Sequence, residues 1–92
     1  MIKITRRGKK AWVTFTAPVE GGEKVELKGS WNGWEPEAMK RKKSGEFYLT
    51  KIFKVGEEHE FGYLVDGTDW LHDPDTGLVE TPFGSKNSVL KV

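Results

Sequence analysis

The side chains that could perform chemistry in this 92-residue chain are few and badly placed for catalysis. There is no cysteine, hence no thiolate nucleophile and no thiolate metal site. No G-x-S-x-G elbow occurs. His59 and His72 fall in separate segments without the H-E-x-x-H spacing of a helical zinc site. The run "DGTDWLHDPD" gathers Asp66, Asp69, His72, Asp73 and Asp75, but not at the D-x-[DN]-x-[DN]-G spacing of a calcium loop. Turn-forming aspartates explain it. A glycosidase needs two carboxylates facing across a cleft, and a domain this small has little material to build one. The expectation is a protein that is not an enzyme, with no cofactor and no metal.

Binding chemistry is better represented. The segment "GSWNGWEPEAMKR" (29–41) carries Trp31 and Trp34 among the turn-formers Gly29, Asn32, Gly33 and Pro36. Trp34 follows a turn, and Trp70 follows the Asp66-Gly67 turn by three residues. A flat indole near a loop can stack on the apolar C–H face of a sugar ring while neighbouring polar groups bond its hydroxyls, by the amphipathic logic that puts Trp and Tyr at interfaces. The competing reading is that all four tryptophans are core. It is favoured for Trp31, hemmed by glycines; position alone leaves Trp12, Trp34 and Trp70 open.

Composition bounds the frame that holds these residues. The length gives one domain, residues 1–92, with a limited core. Eleven aromatic residues set it apart from a disordered chain. No apolar run is long enough for a membrane helix, and "MIKITRRGKK" lacks the apolar stretch of a signal peptide. Together with the absence of cysteine, this points to the cytoplasm. Fifteen basic residues nearly balance fourteen acidic ones. The basic clusters "RRGKK" (6–10) and "KRKK" (40–43) sit beside turn residues and read as solvated turns, so nucleic acid is not an expected partner.

The hydrophobic period is that of strands. In "AWVTFTAP", Ala11, Val13 and Phe15 alternate with Trp12, Thr14 and Thr16; in "KVELKG", Val25 and Leu27 alternate with Lys24, Glu26 and Lys28. Such alternation describes a sheet with one wet face. "EFYLTKIFKV" (46–55) and "HEFGYLVDG" (59–67) are aromatic and β-branched segments bounded by glycines, and "IKITR" and "SVLKV" are short terminal strands. Asp66-Gly67 is a tight hairpin turn. "EPEAMKRK" is the one candidate helix, of one or two turns, and the chain from Asp73 to Asn87 is loop-like. The sum is an all-β, antiparallel sandwich of about seven strands.

"GSWNGW" (29–34), "FGYLVDG" (61–67), "DWLHDPD" (69–75) and "PFGSKNSVLKV" (82–92), in this order, resemble carbohydrate-binding module family 48. That family includes the glycogen-binding domain of the AMP-activated protein kinase β subunit and the N-terminal domains of isoamylases and branching enzymes. The resemblance covers residues from about 10 to 92 and implies an immunoglobulin-like β-sandwich. It further implies that Trp34 and Trp70 stack on glucose units and that Phe83 reaches into the ring of a bound sugar. Ser85 and Asn87 would bond sugar hydroxyls, while Trp31 packs inside. One position departs: kinase-type domains carry a sugar-bonding lysine in "Y-K-F", whereas this chain reads "F-G-Y" with Gly62. Lys51 and Lys86 are the neighbouring candidates for a replacement donor.

The resulting expectation is non-catalytic binding of an α-1,4-linked glucan such as glycogen, starch or a maltooligosaccharide. A glycogen-metabolising enzyme or a kinase is the protein partner the resemblance implies. The alternative is a protein-interaction module of the same fold that has lost sugar binding, for which Gly62 is the main sequence support.

Overall fold

The computed structural model describes residues 1–92, the side chain of Glu20 excepted. Alternation becomes strands wherever it was read. In chain order these are β1 (Ile2–Arg7), β2 (Lys10–Glu20), β3 (Val25–Gly29), β4 (Glu37–Ala38), β5 (Lys40–Arg41), β6 (Glu46–Lys54), β7 (Glu58–Val65), β8 (Asp69–Leu71), β9 (Gly77–Glu80) and β10 (Lys86–Lys91). A single 3-10 turn, Ser30–Asn32, follows β3. All pairings are antiparallel. One sheet runs β1-β2-β6-β5 and the other β4-β3-β7-β10-β9, with β8 also on β7, so the chain is the expected β-sandwich. No helix among the described residues is long and apolar enough to cross a membrane.

The inward positions interleave between the two sheets. Ala11, Val13, Phe15 and Ala17 of β2 meet Val25 and Leu27 of β3, Phe47 and Phe53 of β6, and Phe61, Tyr63 and Val65 of β7. Phe15 is the hub, with ring centroids 5.1 Å from Phe61, 5.5 Å from Trp31 and 6.4 Å from Phe53. Edge-to-face and tilted pairs of this kind add about 0.5–1.5 kcal/mol each beyond the area they bury. The even positions of β2 face water: Trp12 stands opposite Ile52 on the outer face of the four-stranded sheet, and both are exposed. Pairing of β2 with β6 shifts register between Thr16 and Glu20, where Pro18 has no N–H to offer a ladder.

Two expectations are corrected. There are ten strands rather than about seven: "EPEAMKRK" holds two minimal strands and no helix, and a third, Gly77–Glu80, lies in the segment read as loop-like. Glu37–Ala38 pairs with β3 and Lys40–Arg41 with β6, so the segment steps from one sheet to the other around the buried Met39, whose N–H donates to the Val25 carbonyl at 2.9 Å. Edge pairing on two preformed sheets outweighs a helix of one or two turns, which is too short to stand alone. The segment from Asp73 to Asn87 is also not all loop. Gly77–Glu80 pairs with β10, hidden in the sequence by the turn signals on either side.

Asp73, read as a turn former, is instead 2% exposed and the centre of a polar cluster. Its carboxylate accepts the Tyr63 hydroxyl at 2.6 Å, the Asp75 N–H at 2.8 Å and the amino group of Met1. Its own N–H donates to Ser88 Oγ at 2.7 Å. Burial, reinforced by the Asp73 carboxylate, pushes the Tyr63 hydroxyl far above its ordinary range. The sign follows from proton counting: above about pH 10 the unfolded tyrosine ionises while the folded one keeps its proton, so stability is lost as pH rises. Urea unfolding of wild type should therefore lose about 1 kcal/mol between about pH 10 and 11 relative to Tyr63→Phe, the slope rising towards about 1.4 kcal/mol per pH unit beyond that. At pH 7 the variant should be less stable by about 1–3 kcal/mol.

Candidate functional site

The outer face of the six-stranded sheet follows from register. Phe61, Tyr63 and Val65 point inward, so Glu60, Gly62 and Leu64 of β7 point outward, together with Lys28 of β3, Trp70 of β8, and Asn87 of β10 opposite Val79 of β9. On this face lies a groove of about 660 Å³, within the usual range for small-ligand sites. All five sequence-predicted residues, Trp34, Trp70, Phe83, Ser85 and Asn87, line it.

Each is positioned by local chemistry. Gly33 and Trp34 occupy successive left-handed conformations, with φ of 70° and 67°. For a tryptophan this is an outlier that costs on the order of 1–2 kcal/mol. The Trp34 N–H is held on the Gly29 carbonyl at 3.0 Å. The left-handed pair swings Trp34 onto the outer face while Trp31 packs on Phe15 and Phe53, its Nε1–H donating to Glu37 Oε2 at 2.9 Å. Trp31 is thus a half-buried anchor against the core. Trp70 is fixed by a bond from Nε1–H to the Lys86 carbonyl at 3.1 Å, and its ring centroid lies 6.4 Å from that of Trp34 with the planes at 54°.

The loop Thr81–Ser85 closes through a Thr81 N–H to Ser85 carbonyl bond of 2.9 Å and a 2.8 Å bond between the two hydroxyls. It holds Phe83 at its tip, 94% exposed. An aromatic ring so placed contributes nothing to the core. Asn87 donates through Nδ2 to Glu60 Oε1 at 3.2 Å, and the Glu60 N–H donates to Ser30 Oγ at 3.0 Å. The floor is therefore two indoles, with a rim of hydroxyl, amide, carboxylate and ammonium groups. Such a surface can cover an apolar sugar face and exchange hydrogen bonds in both directions with hydroxyls.

Sequence reasoning missed Lys28, Glu60, Ser30 and Thr81, all of which line the groove. Alternation in "KVELKG" marked Lys28 as outward; only the β3–β7 register puts it opposite Gly62. The two candidate replacement donors fare poorly. Lys51 is paired with Glu37 above Trp31 and away from the groove, and Lys86 contributes a backbone carbonyl to Trp70. The acidic run holds no group of side chains suited to a metal among the described residues. Asp66 serves as a turn former: at φ 50° it precedes Gly67 at 74°, and its carboxylate accepts the N–H groups of Glu23 and Lys24.

A β-sandwich with an aromatic groove on one sheet is the class of protein this geometry defines. Comparison with known proteins makes it specific. Residues 12–92 match the family described as the glycogen recognition site of AMP-activated protein kinase, and the chain belongs to that family. It is 34% identical over 73 residues to the 5'-AMP-activated protein kinase subunit beta-1 of Sus scrofa, covering 78% of this chain and 57% of that one. With the beta-2 subunit of Homo sapiens the identity is 33% over 73 residues, covering 79% of this chain and 26% of the relative. The chain thus spans from about a quarter to just over half the length of these relatives. Among solved structures, the enterobactin esterase FES of Shigella flexneri superposes with a TM-score of 0.76 at 14% identity, over 98% of this chain and 32% of that one. That likeness is one of fold.

The strain at Trp34 yields a test free of any ligand. Trp34→Ala and Trp34→Gly remove the same ring but differ in their tolerance of a left-handed backbone. The glycine variant should be the more stable of the two by about 1 kcal/mol in urea unfolding.

Proposed function

We propose that this chain is a non-catalytic module that binds α-1,4-linked glucan, with Trp34 and Trp70 as stacking platforms. Phe83 would contact the sugar from the loop tip, and Ser85 and Asn87 would bond its hydroxyls. The observation that carries the reading is the angled indole pair in one groove, 6.4 Å apart and 54° between planes. Successive rings of an α-1,4 chain are turned relative to one another, so a curved ligand suits two platforms set at an angle better than a flat β-1,4 ribbon does. Membership of a family described as a glycogen recognition site supports the same ligand class.

Magnitudes keep the affinity modest. Two stacks at about 0.5–1.5 kcal/mol each beyond area burial, with a few hydrogen bonds at about 1 kcal/mol net, are offset by the cost of association. Dissociation constants from micromolar to millimolar follow. Binding of that strength acts by tethering, raising the local concentration of glucan around an attached or docked protein. Relatives named as subunits of a kinase support a kinase or a glycogen-metabolising enzyme as that protein.

Intrinsic tryptophan fluorescence tests the reading directly. Maltoheptaose and β-cyclodextrin should give saturable changes and cellohexaose none, and Trp70→Ala should raise the dissociation constant at least about tenfold. No response to either α-linked sugar up to tens of millimolar would overturn it.

A further inference from the structure

Gly62 is the only groove-floor position without a side chain on the central strand, and the space above it is already occupied. A Cβ built on Gly62 would lie 2.2 Å from Trp70 Cζ2 and 2.6 Å from Cε2, well inside contact distance. The Trp70 indole therefore lies flat on the backbone of β7 at this residue, tethered through Nε1, next to the overlying Cε2, to the Lys86 carbonyl. Any side chain at position 62 must displace it. A charged donor on the groove floor beside Trp70 has to come from another strand.

The adjacent strand supplies one. Lys28 is the cross-strand partner of Gly62 and points to the same face. It lines the groove with Trp34, Trp70 and Asn87. It is half-buried, and among the described residues no carboxylate lies within ion-pair distance of it, whereas Asn87, Ser85 and Thr81 of the same groove are already bonded to one another or to Glu60. An ammonium offers three donors and no acceptor, and its bonds to hydroxyl oxygens are charge-assisted. Opposite in character, Glu60 supplies acceptor oxygens from the neighbouring outward position of β7.

On the reading that the groove holds a glucan, we infer that Lys28 is a ligand-binding residue, donating to the hydroxyls of the sugar stacked on Trp70. Gly62 is the positioning residue that lets Trp70 lie down beside it. The two act as one device spread over two strands: the bare position makes room for the platform, and its cross-strand partner provides the donor.

The test titrates wild type, Lys28→Met, Lys28→Arg and Gly62→Ala with maltoheptaose by calorimetry. Alongside it, thermal melts and near-ultraviolet circular dichroism report the coupling of the Trp34–Trp70 pair. Lys28→Met should bind about tenfold more weakly at an unchanged melting temperature, with Lys28→Arg recovering most of the loss. Gly62→Ala should lose both binding and the indole dichroism. Because that variant risks unfolding, the same substitution is also made in Trp70→Ala, where the obstructing ring is gone and Gly62→Ala should cost little further stability. If wild type binds and Lys28→Met binds equally well, the role of Lys28 is overturned while the glucan reading stands. Retention of the indole signal and affinity in Gly62→Ala overturns the role of Gly62. Failure of wild type itself to bind overturns the glucan reading and this assignment with it.

Discussion

An indole laid flat on a strand leaves no room for a Cβ beneath it, and this domain meets that constraint twice on neighbouring rungs of the same ladder. A Cβ on Gly29 would fall 2.3 Å from the Trp31 ring, and one on Gly62 would fall 2.2 Å from the Trp70 ring. Gly29 is paired with Phe61, and Lys28 with Gly62. Since consecutive residues of a strand face opposite sides, the β3–β7 ladder lacks a side chain on β3 at one inward-facing rung and on β7 at the next, outward-facing one. Trp31 fills the inner gap and closes the core over Phe15 and Phe53; Trp70 fills the outer one and makes the groove floor. Anchor and platform thus share one short piece of backbone. A change that loosens the ladder there disturbs core and site together.

Holding Trp70 in place requires more than space, because β8 is only three residues long. Both ends of the segment are tied by aspartates. Before it, the Asp66 carboxylate takes two N–H groups from the turn ahead of β3. After it, Asp73 is buried against Tyr63 and Ser88, on strands β7 and β10. A buried carboxylate is tolerable only when its lone pairs are occupied, which here they are, by hydroxyl, amide and ammonium donors. The acidic run that resembles a metal site in one dimension is a pair of staples in three. What it positions is an aromatic ring.

Most of the sheet structure was legible because burial on one face imposes a period of two, and a slip of one residue would invert every side chain. The strands from Ala11, Val25, Phe47 and Phe61 onward all carry that signature. Where the signature was too short, reading failed. Two-residue pairings at Glu37 and Lys40 have no period, and their stability comes from sheet edges that only the folded chain provides. The residues lining the groove were legible as far as a family motif reaches: Trp34, Trp70, Phe83, Ser85 and Asn87 do line one groove. Lys28 was not, since its place beside Gly62 depends on which strands pair and in what register. The sequence shows Gly62 as a missing side chain; the fold shows it as occupied space.

The spacing of Trp31 and Trp34 illustrates how local strain serves this arrangement. In a continuing helical turn, residues three apart lie on the same side, and both rings would compete for one location. The 3-10 turn instead ends at Gly33 and is followed by a left-handed tryptophan, with the Trp34 N–H turned back onto the Gly29 carbonyl. That geometry sends one indole to each side of the sheet within four residues. A glycine at position 34 would relieve the backbone but remove the ring; a tryptophan one residue later would keep an easy backbone but lose the partner 6.4 Å away. The unfavourable conformation is therefore retained where the outer platform requires it, and the packing of Trp31 on the core, together with the Gly29 bond, stabilises it. Turn residues surround these two tryptophans because here it is a left-handed turn that sends their rings to opposite sides of the sheet.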